Sequence, residues 1–157
     1  VCPYETTDGN PSRFVRTILK GPTDAIVFRP STGRTEWHHI LVMARGAGET
    51  ANMMLDFAHR LVEAQGSVSA CTCISNGEGR REAEVMLDNL VESFPDPIET
   101  RISHSSVAAF LRTNARNYDL TVVGATADQS AASRFFSTPT FKRIHDVDCD
   151  LASVHRG

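Results

Sequence analysis

Apolar positions alternate between two patterns from His38 onward. Residues 39–44, 67–74, 98–103, 120–123 and 149–155 are short apolar or β-rich runs, and each predicts a strand. Between them apolar residues recur at spacings of three and four. Ala51, Met54, Leu55, Ala58, Leu61 and Val62 predict one helix, with Thr50 as its N-cap and Gly66 at its C-terminal end. Ala83, Met86, Leu87, Leu90, Val91 and Phe94 predict a second, closed by Pro95 and Pro97. Val107, Phe110 and Leu111 mark a third, capped by Ser105 or Ser106, and Phe141, Ile144 and Val147 a fourth.

Leu120 to Val123 leave no room for polar alternation, so that strand is buried on both faces, as in a parallel sheet. Residues 98–103 alternate instead, which suits a sheet edge. Five strands interleaved with four helices predict an α/β fold, a single three-layer doubly wound parallel sheet with helices on both faces.

The first 37 residues read as an N-terminal extension to a domain of residues 38–157. Residues 1–21 lack a clean period, and 2–12 read as loop. Residues 24–29 form a short apolar run stopped by Pro30. They resemble residues 150–156, and each run follows a basic, helix-like stretch, 13–20 and 141–144. Two readings stand: the tail of a preceding, similar domain, or a chance likeness of short strands. Either way residues 22–29 predict an extra strand that pairs with, and protects, an exposed sheet edge.

Composition narrows the function. At 157 residues, 41% hydrophobic and 22% charged, the chain has the make-up of one soluble globular domain. A net charge of −3 argues against a nucleic-acid or membrane-surface partner. No apolar run has membrane-spanning length and no secretory signal pattern opens the chain; a cytoplasmic setting is expected from its cysteines, read as reduced. Cys2, Cys71, Cys73 and Cys149 lack zinc-type spacing. Cys71 and Cys73 lie two apart on one strand face, and reduced, buried side chains are expected rather than metal or redox chemistry. His38 and His39 point to opposite faces and cannot easily share a metal; no metal site is expected. A phosphate-binding G-x-x-x-x-G-K-[ST] loop is absent, as are the acidic cluster of a receiver domain and a matched nucleophile and base.

Candidate chemistry centres on the end of the strand at residues 120–123. Gly124 follows it, where a backbone turns or approaches a ligand closely. A small-residue loop then leads to Ser137, Thr138 and Pro139, which open a helical stretch. Strand, glycine, loop and helix N-terminus make a phosphate cradle. These residues resemble the universal stress protein family, whose nucleotide-binding branch carries G-x2-G-x9-G-[ST] here. The spacing is kept and the residues are altered: Gly124, Ala127, Ser137 and Thr138 stand at the four positions. The resemblance runs from about His38 to Arg156.

It implies an adenine nucleotide alpha hydrolase-like sheet of order 3-2-1-4-5, with the ligand between the strand ending at Ala44 and Arg45 and the strand ending at Gly124. It also implies an aspartate just after the first strand, contacting adenosine. Arg45 stands there, before Gly46. Arginine cannot accept a hydrogen bond from a ribose hydroxyl or adenine amine. It either meets an anion or is a solvated loop residue paired with Glu49. Lys142 and Arg143 add positive charge, and Asp128 opposes it. The candidate binding residues are therefore Arg45, Gly46, Gly124, Thr126, Ala127, Ser137 and Thr138.

The functional expectation is a non-catalytic regulatory or sensor module with weak or lost ATP binding, and no cofactor otherwise. The resemblance implies a homodimer paired through the last strand, unless residues 22–29 cover it. An alternative is the cytoplasmic C-terminal domain of a membrane transporter, an amino-acid permease or cation/proton antiporter; the absent initiator methionine and the sister-domain look of residues 13–29 suit a piece of a larger protein. A third is an ATP-binding stress protein with slow hydrolysis.

Overall fold

A strand that is apolar on both faces has to sit inside a sheet, and Leu120–Ala125 does. The computed structural model describes residues 1–3, 5–7, 10–30, 33–45, 48–74, 79–125 and 149–157. In chain order the elements are β1 (Cys2–Pro3), β2 (Thr6–Thr7), β3 (Asn10–Pro11), α1 (Arg13–Ile18), β4 (Ala25–Arg29), β5 (Trp37–Met43), α2 (Glu49–Leu61), β6 (Val62–Cys73), α3 (Arg80–Glu92), β7 (Glu99–Ser103), α4 (Val107–Asn114), a 3-10 turn (Ala115–Asn117), β8 (Leu120–Ala125) and β9 (Asp150–His155). The fourth helix expected around Phe141, Ile144 and Val147 lies outside the described residues.

β7, β6, β5, β8 and β9 lie side by side and pair in parallel. This is the expected 3-2-1-4-5 order. α2 and α3 bury Ala51, Met54, Leu55, Ala58, Leu87 and Leu90 on one face of the sheet. α1 and α4 bury Val15, Leu19, Phe110 and Leu111 on the other. Two apolar layers thus hold three layers of structure together. No described helix is long and apolar enough to cross a membrane.

The extra strand is present. β4 pairs antiparallel with β9, Ala25 opposite His155 through Arg29 opposite Leu151. Residues 22–29 therefore cover the edge that the last strand would otherwise expose, and β9 is an inner strand with all six residues buried. The segment read as loop holds three two-residue strands: β2 and β3 pair antiparallel with each other, and β1 joins the main sheet by pairing in parallel with β4. The sheet has seven strands, in the order β1-β4-β9-β8-β5-β6-β7. The order around the β4–β9 joint is palindromic. β1 and β4 are parallel neighbours linked through α1, as β8 and β9 are parallel neighbours linked through residues 126–149. The joint is tied down at one end, where β4 begins and β9 finishes: His155 Nε2–H donates to the Gly21 carbonyl at 2.8 Å, and the Gly157 N–H donates to Asp24 Oδ1 at 2.9 Å.

Two local expectations need correction. Gly48, not Thr50, is the N-cap of α2, and Thr50 lies in its first turn. Gly66 does not end that helix. α2 stops at Leu61, and Gly66 lies inside β6, beside the register shift between Trp37 and His39. A side chain at Gly66 would overlap the His38 carbonyl oxygen of the neighbouring strand. The glycine thus serves a close strand approach, not a helix cap.

Asp119 fastens the entrance of β8 to that of β5. Its Oδ2 accepts from the backbone N–H of His38 at 2.7 Å and of His39 at 3.0 Å, and Arg34 pairs with Oδ1 at 3.2 Å. Burial alone would raise this carboxyl, but the two N–H donors and Arg34 outweigh it and hold the group below its usual value.

Two outcomes follow from these contacts. Gly66→Ala should cost about 1–3 kcal/mol, because the methyl meets the unyielding His38 backbone as well as the Val62 side chain; an unchanged urea midpoint refutes this. Asp119→Asn should cost about 1–3 kcal/mol at neutral pH. A depressed folded-state carboxyl stabilises above its unfolded value of about 4 and loses that stabilisation as pH falls through the folded value. The gap between the two proteins should therefore close in acid, as followed by denaturation at a series of pH values. A gap of constant size would contradict the assignment.

Candidate functional site

In a doubly wound sheet, the two loops leaving the central strands part in opposite directions and open a crevice. Here β5 leads to α2, while its other neighbour is β8. A cavity of about 1080 Å³ lies over the carboxyl ends of β5, β6, β7 and β8. Ala44, Arg45, Val123 and Gly124 line it at the switch point. Its wall continues along α2 and α3 to the start of α4. Met43, Met54 and Met86 give it an adaptable apolar surface.

The polar side is built from helix starts. Gly48, Gly79 and Ser106, the N-caps of α2, α3 and α4, all border the cavity. Ser106 caps its own helix, accepting from the Ala109 N–H at 3.2 Å, and so settles the choice between the two serines. Among the described residues no side chain caps the starts of α2 and α3, where a helix end has N–H groups suited to an anion. Gly79 has φ 75°, a conformation that glycine adopts without strain.

Arg45 is exposed at the cavity mouth. Its expected alternative partner, Glu49, pairs instead with Arg156 at 3.3 Å, and among the described residues Arg45 makes no salt bridge. Gly124 is placed differently from expectation. It lies within β8, opposite Val154, and the strand runs on to Ala125. A Cβ there would meet Thr50 and Met54 of α2 at ordinary contact distances, so the approach of α2 to the strand end does not itself demand glycine. Gly46, Thr126, Ala127, Ser137 and Thr138 lie outside the described residues, as do Asp128, Lys142 and Arg143. Of the seven candidates the structure thus brings together Arg45 and Gly124.

Three polar residues on this wall were not singled out for the ligand site: Cys73, Glu82 and His104. Their common signal is position. Cys73 closes one predicted strand, His104 follows another, and Glu82 opens a helix, all at the ligand end of such a sheet. His104 Nε2 lies 3.2 Å from Arg80 Nη1. A guanidinium only donates, so Nε2 accepts and the imidazole proton sits on Nδ1. Ser105 Oγ is engaged by Ser103 Oγ at 2.7 Å. Among the described residues no hydrogen bond joins His104 to Ser105; they meet Arg80 and Ser103 instead.

The cysteines divide. All four are free. Cys71 and Cys149 are buried as expected, but Cys73 is half-buried and opens on the cavity. The neighbouring Cys73 thiol pushes the Cys71 thiol up, and burial adds to this. The Cys71 thiol in turn, with help from the Arg45 charge and against burial, holds Cys73 below the usual thiol value. Burial pushes Cys149 up to about 11. Among the described residues no group of three or more His, Cys, Asp or Glu side chains is placed to hold a metal.

No protein-family profile and no curated protein matches the sequence. Among solved structures the chain is similar to the crystal structure of a universal stress protein from Archaeoglobus fulgidus DSM 4304, with 12% identity and a TM-score of 0.65. The match covers 89% of this chain and 52% of that one, so the chain spans about half the length of the protein it matches. Residues 38–157 are about three-quarters of the chain, so a match of that extent reaches into the first 37 residues. The seven-stranded sheet with its switch-point cavity is thus a universal stress protein-like fold.

Proposed function

We propose that this chain is a regulatory module of the universal stress type, in which a small anionic ligand occupies the switch-point cavity without being turned over. The observation that carries the reading is the cavity itself. It joins a methionine-rich wall to Arg45 and to two helix starts without side-chain caps. An anion gains from both the guanidinium and the helix N-termini. Adenosine gains little, since the position after β5 offers a donor where nucleotide-binding relatives have an acceptor. The engagement of His104 by Arg80 and of Ser105 by Ser103 supports binding over catalysis.

The palindromic β1-β4-β9-β8 arrangement supports a further part of this reading. Residues 1–29 occupy the place that a second, two-fold-related unit would take against β9. This favours the sister-domain reading of the N-terminal segment over a chance likeness. It also means that pairing of two copies through β9 competes with β4.

Titration calorimetry tests the ligand reading. ATP should bind more weakly than about 100 μM, corresponding to about −5.5 kcal/mol. Low-micromolar binding or measurable hydrolysis would overturn it. Removal of residues 1–29 tests the assembly reading. The exposed β9 edge should then pair with a second copy, and light scattering should report a dimer. A folded, monomeric remainder at high concentration would contradict the two-fold interpretation.

A further inference from the structure

Cys73 is the cysteine placed to react. It ends β6 on the wall of the cavity and is half-buried there. Around it are Arg45 and the helix starts at Gly48, Gly79 and Ser106. Cations and helix N-termini both favour a thiolate over a thiol, and the thiolate is the nucleophile. Cys71 lies behind it on the same strand face, fully buried, and its Sγ lies 3.8 Å from the Thr72 carbonyl oxygen, to which it donates. Strand register places Arg101 opposite Cys71; that guanidinium donates to the Tyr118 hydroxyl at 3.1 Å and stacks over Phe110. Glu82 on the α3 wall opposes the thiolate, and His104 is held by Arg80. The other thiols lack this setting. Cys149 is buried, with its Sγ 3.4 Å from Thr121 Oγ1, and Cys2 lies on β1, apart from the cavity.

We propose that Cys73 is a reactive thiol, modified within this cavity by a low-molecular-weight disulfide that carries carboxylates. The thiolate attacks one sulfur of R–S–S–R. The Cys73–sulfur bond forms as the R–S–S–R bond breaks, and the second half leaves as R–S⁻ with the bonding pair. The small disulfide is reduced and the protein thiol oxidised, so no other reactant is needed. The carboxylates face Arg45 and the helix starts. Cys71 does not resolve the adduct. Residues two apart on an extended strand are separated by about 6.6 Å, with parallel side chains, whereas a disulfide brings its Cβ atoms to about 3.8 Å. The adduct therefore persists until an external thiol reverses it. If the cavity also takes the ligand proposed above, the adduct excludes it.

Reaction of the full chain with oxidised glutathione, followed by intact mass and peptide mapping, tests this. One adduct should form on Cys73, at least about ten-fold faster than on Cys2, Cys71 or Cys149. Cys73→Ser should lose the fast phase. Arg45→Gln should slow it and raise the pH midpoint of its rate, with the melting temperature unchanged. A neutral dihydroxyethyl disulfide should react more slowly at the same site. Fastest reaction at another cysteine, or no effect of Arg45→Gln on the pH midpoint, overturns the reactive-thiol assignment. Equal rates with the two disulfides overturn the preference for carboxylates. None of these readouts depends on ligand binding, so failure of the ligand reading would leave them intact.

Discussion

Every other part of this molecule depends on the pairing of β5 along both of its sides. Its backbone groups are buried between β6 and β8, and a buried N–H or carbonyl without a partner is costly. The parallel ladders from Ile40 to Met43 satisfy them on both sides and fix both registers together. Asp119 locks the start of the arrangement, and the Ala44 N–H donates to the Cys71 carbonyl at 2.8 Å at its end. The cavity exists because β5 stops at Met43, level with Cys71 and Val123 and short of the ends of β6 and β8, and the chain then leaves towards α2. Arg45, Cys73 and Gly124 converge through register, though they lie far apart in the chain.

Much of the architecture was legible in the sequence because buried parallel strands and amphipathic helices leave unmistakable periods. The stripe through Ala83, Leu87 and Leu90 faces the core as its spacing requires. What escaped depends on neighbours that are distant in sequence. Gly66 looks like a helix terminator, since nothing local reveals the His38 carbonyl across from it. β1 is only two residues long and pairs with β4, so it carries no period of its own. At the site, Arg45 stood out because it occupies the position after the first strand where the family resemblance implies an aspartate. Cys73 did not, because a cysteine closing an apolar run looks like one more core residue.

The cavity combines features that pull in different directions. Its methionines accept many apolar shapes, whereas Arg45 and the helix starts select charge. Glu82 limits that positive field from the first turn of α3. A surface of this kind discriminates by charge more sharply than by outline. Helix ends that no side chain satisfies internally bring that selectivity without any change to the core beneath.

The joint between β4 and β9 also bears on how the protein is made. Val27 pairs with Ser153, so a strand near the beginning waits for one near the end. At about 5–20 residues per second, translation separates the two by roughly 6 to 25 s. During that interval Ile26, Val27 and Phe28 lack the strand that later buries them. A growing chain in this state presents an apolar edge able to pair with its neighbours on the same message, a hazard that ends only when β9 leaves the ribosome.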